Sequence, residues 1–133
     1  MIRAGIIREL LVKTENKIGM MAGIAEAIAN SGVNVTAINA FGVGKEAIFR
    51  IVTSNNIRAI DGIKSRDFEA IERDAVAVDM ENEVGMAAKM SKKLKDAGID
   101  ITYIYGSTSG SKDPCTIIFN CNDNKKAVEV LNG

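Results

Sequence analysis

Two short stretches gather the residue types that hold small molecules. Asn16-Lys17-Ile18-Gly19-Met20 and Asn82-Glu83-Val84-Gly85-Met86 stand 66 residues apart and share an asparagine, a glycine and a methionine in register. A glycine ahead of a helix leaves backbone N–H groups pointing outward, a ready site for a carboxylate. Asn16 and Asn82 carry side chains that both donate and accept, so each can hydrogen-bond a ligand's ammonium and its carboxylate. Asn34, just past Gly32, is expected on the strand beside the first turn and to converge on the same spot; Asp100 takes its place in the second stretch. The simpler role for these residues is architectural, with glycine making a tight strand-to-helix turn and asparagine bracing it.

Catalysis has little to work with. Histidine is absent, which removes the usual general base near neutral pH and the commonest metal ligand. No Ser/His/Asp, Cys/His or paired-carboxylate constellation can be assembled, so an enzyme is not expected. Cys115 and Cys121 share one face of a strand and read as small core residues; without a histidine or a third thiol, no zinc site is expected. Gly42-Val43-Gly44-Lys45-Glu46-Ala47 spells G-x-G-x-x-A, but a dinucleotide fingerprint must open a helix, and Ile48 to Val52 read as strand. A hairpin turn is the better account. The same holds for Gly106 to Lys112, whose spacing is not that of a phosphate loop. Lys89, Lys92, Lys93 and Lys95 make a basic helix face, read as solvated. No cofactor and no metal are called for.

Bulk properties narrow the classes further. Seventeen basic and seventeen acidic residues cancel, so the chain lacks the basic footprint of a nucleic-acid binder. Apolar residues at 47% and a single proline are those of a globular protein. No stretch approaches the roughly 20 apolar residues that span a bilayer. The N-terminal residues lack the apolar core and cleavage site of a signal peptide. Two cysteines fit a reduced cytoplasmic setting.

The elements that must position the two turns repeat with them. Between residues 16 and 38 seven residues are identical to those 66 positions on. Two copies are too few for a solenoid and read as two small α/β domains. Met21, Ile24, Ala25 and Ile28 take helical spacing, as do Ala87, Met90, Ser91 and Leu94. Gly32 and Gly98 are expected to end these helices in left-handed caps. Val33, Val35 and Ala37, and Ile99, Ile101, Tyr103 and Tyr105, alternate as strands. Hairpin turns lead to strands at 47–53 and 115–121, and polar caps at Ser54-Asn55-Asn56 and Asn122-Asp123-Asn124 open a shorter second helix.

Each copy, 1–66 and 67–133, thus reads strand, helix, strand, strand, helix and needs a closing strand. Residues 67–73 are expected to supply it for copy one. Copy two has none of its own. The 66-residue shift lays Ile2–Ile6 over Phe68–Glu72, so residues 1–6 are expected to close the sheet of copy two, exchanging strands between copies.

Strand-helix-strand-strand-helix-strand with N-x-x-G after the first strand and G-[VI]-[ND]-[VI] opening the second resembles the ACT domain over nearly the whole chain. The resemblance implies two α+β, ferredoxin-like βαββαβ repeats with antiparallel sheets and helices on one face. It implies regulatory modules that sense amino acids. Carried over, the ligand-contacting turns are Asn16, Lys17, Ile18, Gly19 and Met20, and Asn82, Glu83, Val84, Gly85 and Met86. Asn34 matches an asparagine of serine-sensing members, in which the ligand lies between two ACT domains. Ile18 and Val84 replace a proline frequent in the family. Asp100 would disfavour a ligand carboxylate, so copy one is the stronger site.

The expected function is therefore a non-catalytic regulator that binds a small ligand, an amino acid, and modulates a separate metabolic enzyme, as a homo-oligomer. Met20, Met21, Ile38 and Met86 are expected as an apolar lining. The alternative is a ligand-free interaction or oligomerisation module. An RNA-binding ferredoxin-like domain would need stacking aromatics and basic residues on its middle strands; Phe49 and Arg50 offer these in copy one, but Ile117 and Ile118 do not in copy two.

Overall fold

The computed structural model describes residues 1–110 and 112–133; Ser111, within the expected Gly106–Lys112 turn, lies outside the described residues. The elements run β1 (Arg3–Glu15), α1 (Met20–Asn30), β2 (Val35–Val43), β3 (Glu46–Thr53), α2 (Asn56–Lys64), β4 (Ala70–Met80), α3 (Met86–Asp96), β5 (Ile101–Ser107), β6 (Cys115–Cys121) and α4 (Asn124–Asn132). They form two compact units, a first of Arg8–Arg73 and a second of Asp74–Gly133 together with Met1–Ile7. The dividing points thus fall within β1 and β4 rather than at 66/67. Both strands are long because each does two jobs in turn.

In the first unit the strand order is β2-β3-β1-β4. Leu10, Val12 and Thr14 of β1 face Ile51, Phe49 and Ala47 of β3, which in turn face Ile38, Ala40 and Gly42 of β2. Alternation sends one set of these side chains to the helices. Leu10, Val12, Phe49 and Ile51 close over Ile24 and Ile28 of α1 and Ala59 and Ile63 of α2, and Ala70 of β4 completes the core.

In the second unit the order is β5-β6-β4-β1, with Met80, Val78 and Val76 facing Cys115, Ile117 and Phe119. Its core joins Val76, Val78 and Phe119 to Met90 and Leu94 of α3 and Ala127 and Leu131 of α4. Ile2 is buried in it and Ala4 packs against it. The apolar residues at 2 and 4 thus complete a core otherwise built from residues 76–131.

Local signals repeat in both units. Gly32 and Gly98 take positive φ, and the following N–H groups of Val33 and Ile99 reach back to Ile28 and Leu94. Asn55 and Asp123 cap α2 and α4 by accepting from the N–H groups of Arg58 and Lys126 at 3.2 and 3.0 Å. The edge strands each carry a bulge at the same place, where the Thr36 and Thr102 hydroxyls donate to the carbonyls of Val52 and Asn120.

The helix faces differ from expectation. Ile24, Ala27 and Ile28 are buried in α1, and Met90 and Leu94 in α3, while Met21, Ala87 and Ser91 are exposed. Ala27 rather than Ala25 is buried, and the Ala27 carbonyl lies close to Gly62 of the neighbouring α2. The buried stripe is therefore turned toward the second helix.

Candidate functional site

The first turn begins where β1 ends. The N–H of Asn16 donates to the carbonyl of Lys45 at 2.8 Å, and its Nδ2 donates to Gly44 at 3.3 Å. Asn16 thereby ties the β1–α1 turn to the tip of the β2–β3 hairpin. The fit is close at Gly42: a Cβ there would stand 2.5 Å from the Asn16 amide nitrogen. No described residue donates to Asn16 Oδ1, which is left to accept.

Gly19 then turns the chain into α1 with φ 91°, a conformation that favours glycine, and no side chain caps the helix. Ile18 stands fully exposed at the tip. Lys17 projects from the same turn and pairs with Glu15 at 3.4 Å, both exposed.

Between this turn and the edge strand lies a recess of about 260 Å³. Its rim is Asn16, Lys17, Gly19, Met20 and Met21. Its floor comes from the hairpin, Ala40, Phe41 and Gly42 of β2 with Ala47 and Phe49 of β3. Gly42 faces Ala47 across the strands here and Ala40 faces Phe49, and the small residues leave the space that larger side chains would take. Lys17 is the one charged residue among the lining.

The second turn follows the same plan. Asn82 Nδ2 donates to the Gly110 carbonyl at 3.0 Å, Gly85 has φ 92°, α3 starts at Met86 without a side-chain cap, and Val84 is fully exposed. A cleft of about 490 Å³ lies on the closing-strand side of this turn, between Arg3, Asp79, Glu81, Glu83 and Lys112. Two of its carboxylates are already engaged: Asp79 accepts from the Thr116 hydroxyl and Glu81 from the terminal ammonium of Met1.

Asn34 and Asp100 do not join the turn of their own unit. The N–H of Asn34 donates to Ser54 Oγ and its carbonyl accepts from the Ser54 N–H; Asp100 and Asn122 make the corresponding pair. Both residues stand where β2 and β5 begin, whereas the recess lies at the far end of β2. At about 3.3 Å per residue that is roughly 20 Å away. Convergence of Asn34 on Asn16 is therefore corrected: neighbours in sequence to Gly32 are carried off by the strand they open. Ile38 also stays outside the recess lining, and Met21 lies within it.

The hairpin floor was missing from the sequence expectation. The signal for it was the pairing of small residues across a turn already recognised at Gly42–Lys45. The remaining polar groups play other parts. Lys92 pairs with Asp96 at 2.6 Å on an exposed helix face, and Cys121 is a buried thiol donating to Asn124 Oδ1 at 3.1 Å. Burial pushes that thiol's pKa up, favouring its protonated form. Among the described residues no group of His, Cys, Asp and Glu is placed to hold a metal ion, and no helix is long and apolar enough to cross a membrane.

A family model of the ACT domain pair matches residues 5–132. The chain belongs to that family. The ACT domain pair here is similar in structure to protein BT0572 from Bacteroides thetaiotaomicron, at TM-score 0.89 and 24% identity, over 97% of this chain and 88% of that one. It is also similar to the regulatory subunit of aspartate kinase from Thermus thermophilus, at TM-score 0.64 and 18% identity, over 97% and 94%. The regulatory subunit from Thermus flavus gives TM-score 0.65 and 19% identity, over 98% and 94%. At such identities the likeness is one of fold. No curated protein matches the chain.

Proposed function

We propose that this ACT domain pair is a non-catalytic regulatory protein that binds an amino acid at its β1–α1 turn and modulates a separate metabolic enzyme. The observation that carries this reading is the recess between Asn16–Met21 and the β2–β3 hairpin, beside a helix start that no side chain caps. The N–H groups there favour a carboxylate, Lys17 adds a positive charge, and Asn16 Oδ1 accepts from an ammonium. A ligand so held shifts the protein between states by its difference in affinity for them, and the partner enzyme reads that shift. The likeness to aspartate kinase regulatory subunits supports a regulatory part; which enzyme answers to this chain is left to the experiment.

A thermal-shift panel of the twenty amino acids tests the reading. A ligand at about 100 times its dissociation constant adds about 2.7 kcal/mol of stability. The absence of any shift at millimolar concentration sinks it.

A second reading, an interaction module without a ligand, draws on Ile18 and Val84. Both turns carry a β-branched residue fully exposed at the same position, where a partner surface would cover it. Light scattering separates the two, because an interaction module associates without any amino acid present and loses that association in the Ile18→Ser and Val84→Ser variants.

A further inference from the structure

We infer that the chain takes one amino acid with an uncharged side chain, in the first unit alone, because the matching turn of the second unit carries a carboxylate where the first carries its cation. This rests on the amino-acid-binding reading and sharpens it to a ligand class and a stoichiometry.

The class follows from what lines the recess. Lys17 is its one charged group, and its pairing with exposed Glu15 is weak enough to give way to a ligand's α-carboxylate. Asn16 Oδ1 accepts from the ammonium. What remains for the ligand's side chain is Met20, Met21, Ala40 and Phe49, which offer no polar side-chain atom. An aspartate or glutamate side chain would enter without a second cation, and a lysine or arginine side chain without any carboxylate. Either leaves an unpaired charge among apolar groups, which is strongly unfavourable. At about 260 Å³ the recess lies below the 300 to 1,000 Å³ typical of drug-sized ligands and suits a single small metabolite.

The stoichiometry follows from the second unit. The cation of the first turn is lost there, since Glu83 stands where Lys17 does. A carboxylate ligand would meet a like charge.

Isothermal titration of the full chain tests this with L-isoleucine, L-leucine, L-methionine and L-phenylalanine, against L-aspartate and L-lysine. At least one of the uncharged four should bind at one per chain, with the charged pair at least about tenfold weaker. Ala40→Phe, an exposed residue whose enlargement fills the recess, should remove the heat while leaving the melting temperature in place. Lys17→Glu, exposed and outside the core, should weaken binding by about tenfold. Two ligands per chain, a preference for a charged amino acid, or binding unchanged in both variants overturns the inference and leaves the regulator reading standing. No response to any of the twenty amino acids overturns both.

Discussion

Asn132 grips Ala4 by both of its backbone groups. The Ala4 N–H donates to Asn132 Oδ1 at 2.8 Å, and Asn132 Nδ2 donates to the Ala4 carbonyl at 2.9 Å. A side-chain amide at the end of α4 thus does for the edge of β1 what a neighbouring strand would do. Replacing it with alanine leaves these groups to water. The expected loss is about 1 kcal/mol for two solvent-exposed hydrogen bonds, read by urea denaturation, with faster amide exchange at Ala4. Asn132→Asp should be no better, because the carboxylate keeps the acceptor but faces the Ala4 carbonyl with no donor.

The N-terminal segment belongs to the second unit through Ile2 as well as through Ala4. Ile2→Ala should cost about 2 kcal/mol, the range for truncating a buried isoleucine. Removing residues 1–5 should lower amide protection along Asp74–Met80 and in α3 and α4, while the Arg8–Arg73 unit keeps its own. Unchanged protection in the second unit after the deletion would count against this assignment of the closing strand.

Asn16 and Gly42 are coupled by contact, since a methyl group on Gly42 would collide with the Asn16 amide. Gly42→Ala alone should therefore cost about 1 to 2 kcal/mol, as a small overpacking does. In an Asn16→Ala background the same substitution should cost at least about 0.5 kcal/mol less, the sign of a pair in contact. A thermal or chemical double-mutant cycle reads this directly; simple additivity would show that the collision is relieved elsewhere.

Cys121 gives the stability of the second unit a pH dependence. Burial raises the thiol pKa in the folded state above its value in the unfolded chain, so folding favours the protonated form. That contribution is complete below the unfolded thiol pKa of about 8.5 and is lost as pH climbs through the folded value. Urea midpoints should fall as pH rises past about 8.5 in the native chain, and less steeply in Cys121→Ala.

Much of this was legible because the signals were local and doubled. Glycines at 32 and 98 mark helix ends by chain geometry alone, and asparagine with glycine at a fixed spacing marks the two turns. What escaped depended on distances that no short window contains. Asn34 lies next to a turn glycine in sequence but at the opposite end of the strand from the recess. The floor of the recess is made by small side chains facing one another, Gly42 and Ala47, and such a gap shows only once register is known. The end of α2 hid for a different reason. Asp67 takes the left-handed conformation with φ 65° that Gly32 and Gly98 take elsewhere, and an aspartate gives no such warning.

The placement of Met1–Ile7 beside residues 74–133 also sets a timetable. These residues are made about 70 residues ahead of the strand they pair with, on the order of ten seconds at ordinary rates of synthesis. Until then an apolar segment that includes Ile2, Ile6 and Ile7 waits without its partner strand while the chain grows. The second unit therefore matures last and through a contact of very long sequence separation, the kind that slows folding most. An apolar stretch kept waiting in this way is open to association with other chains until its strand arrives.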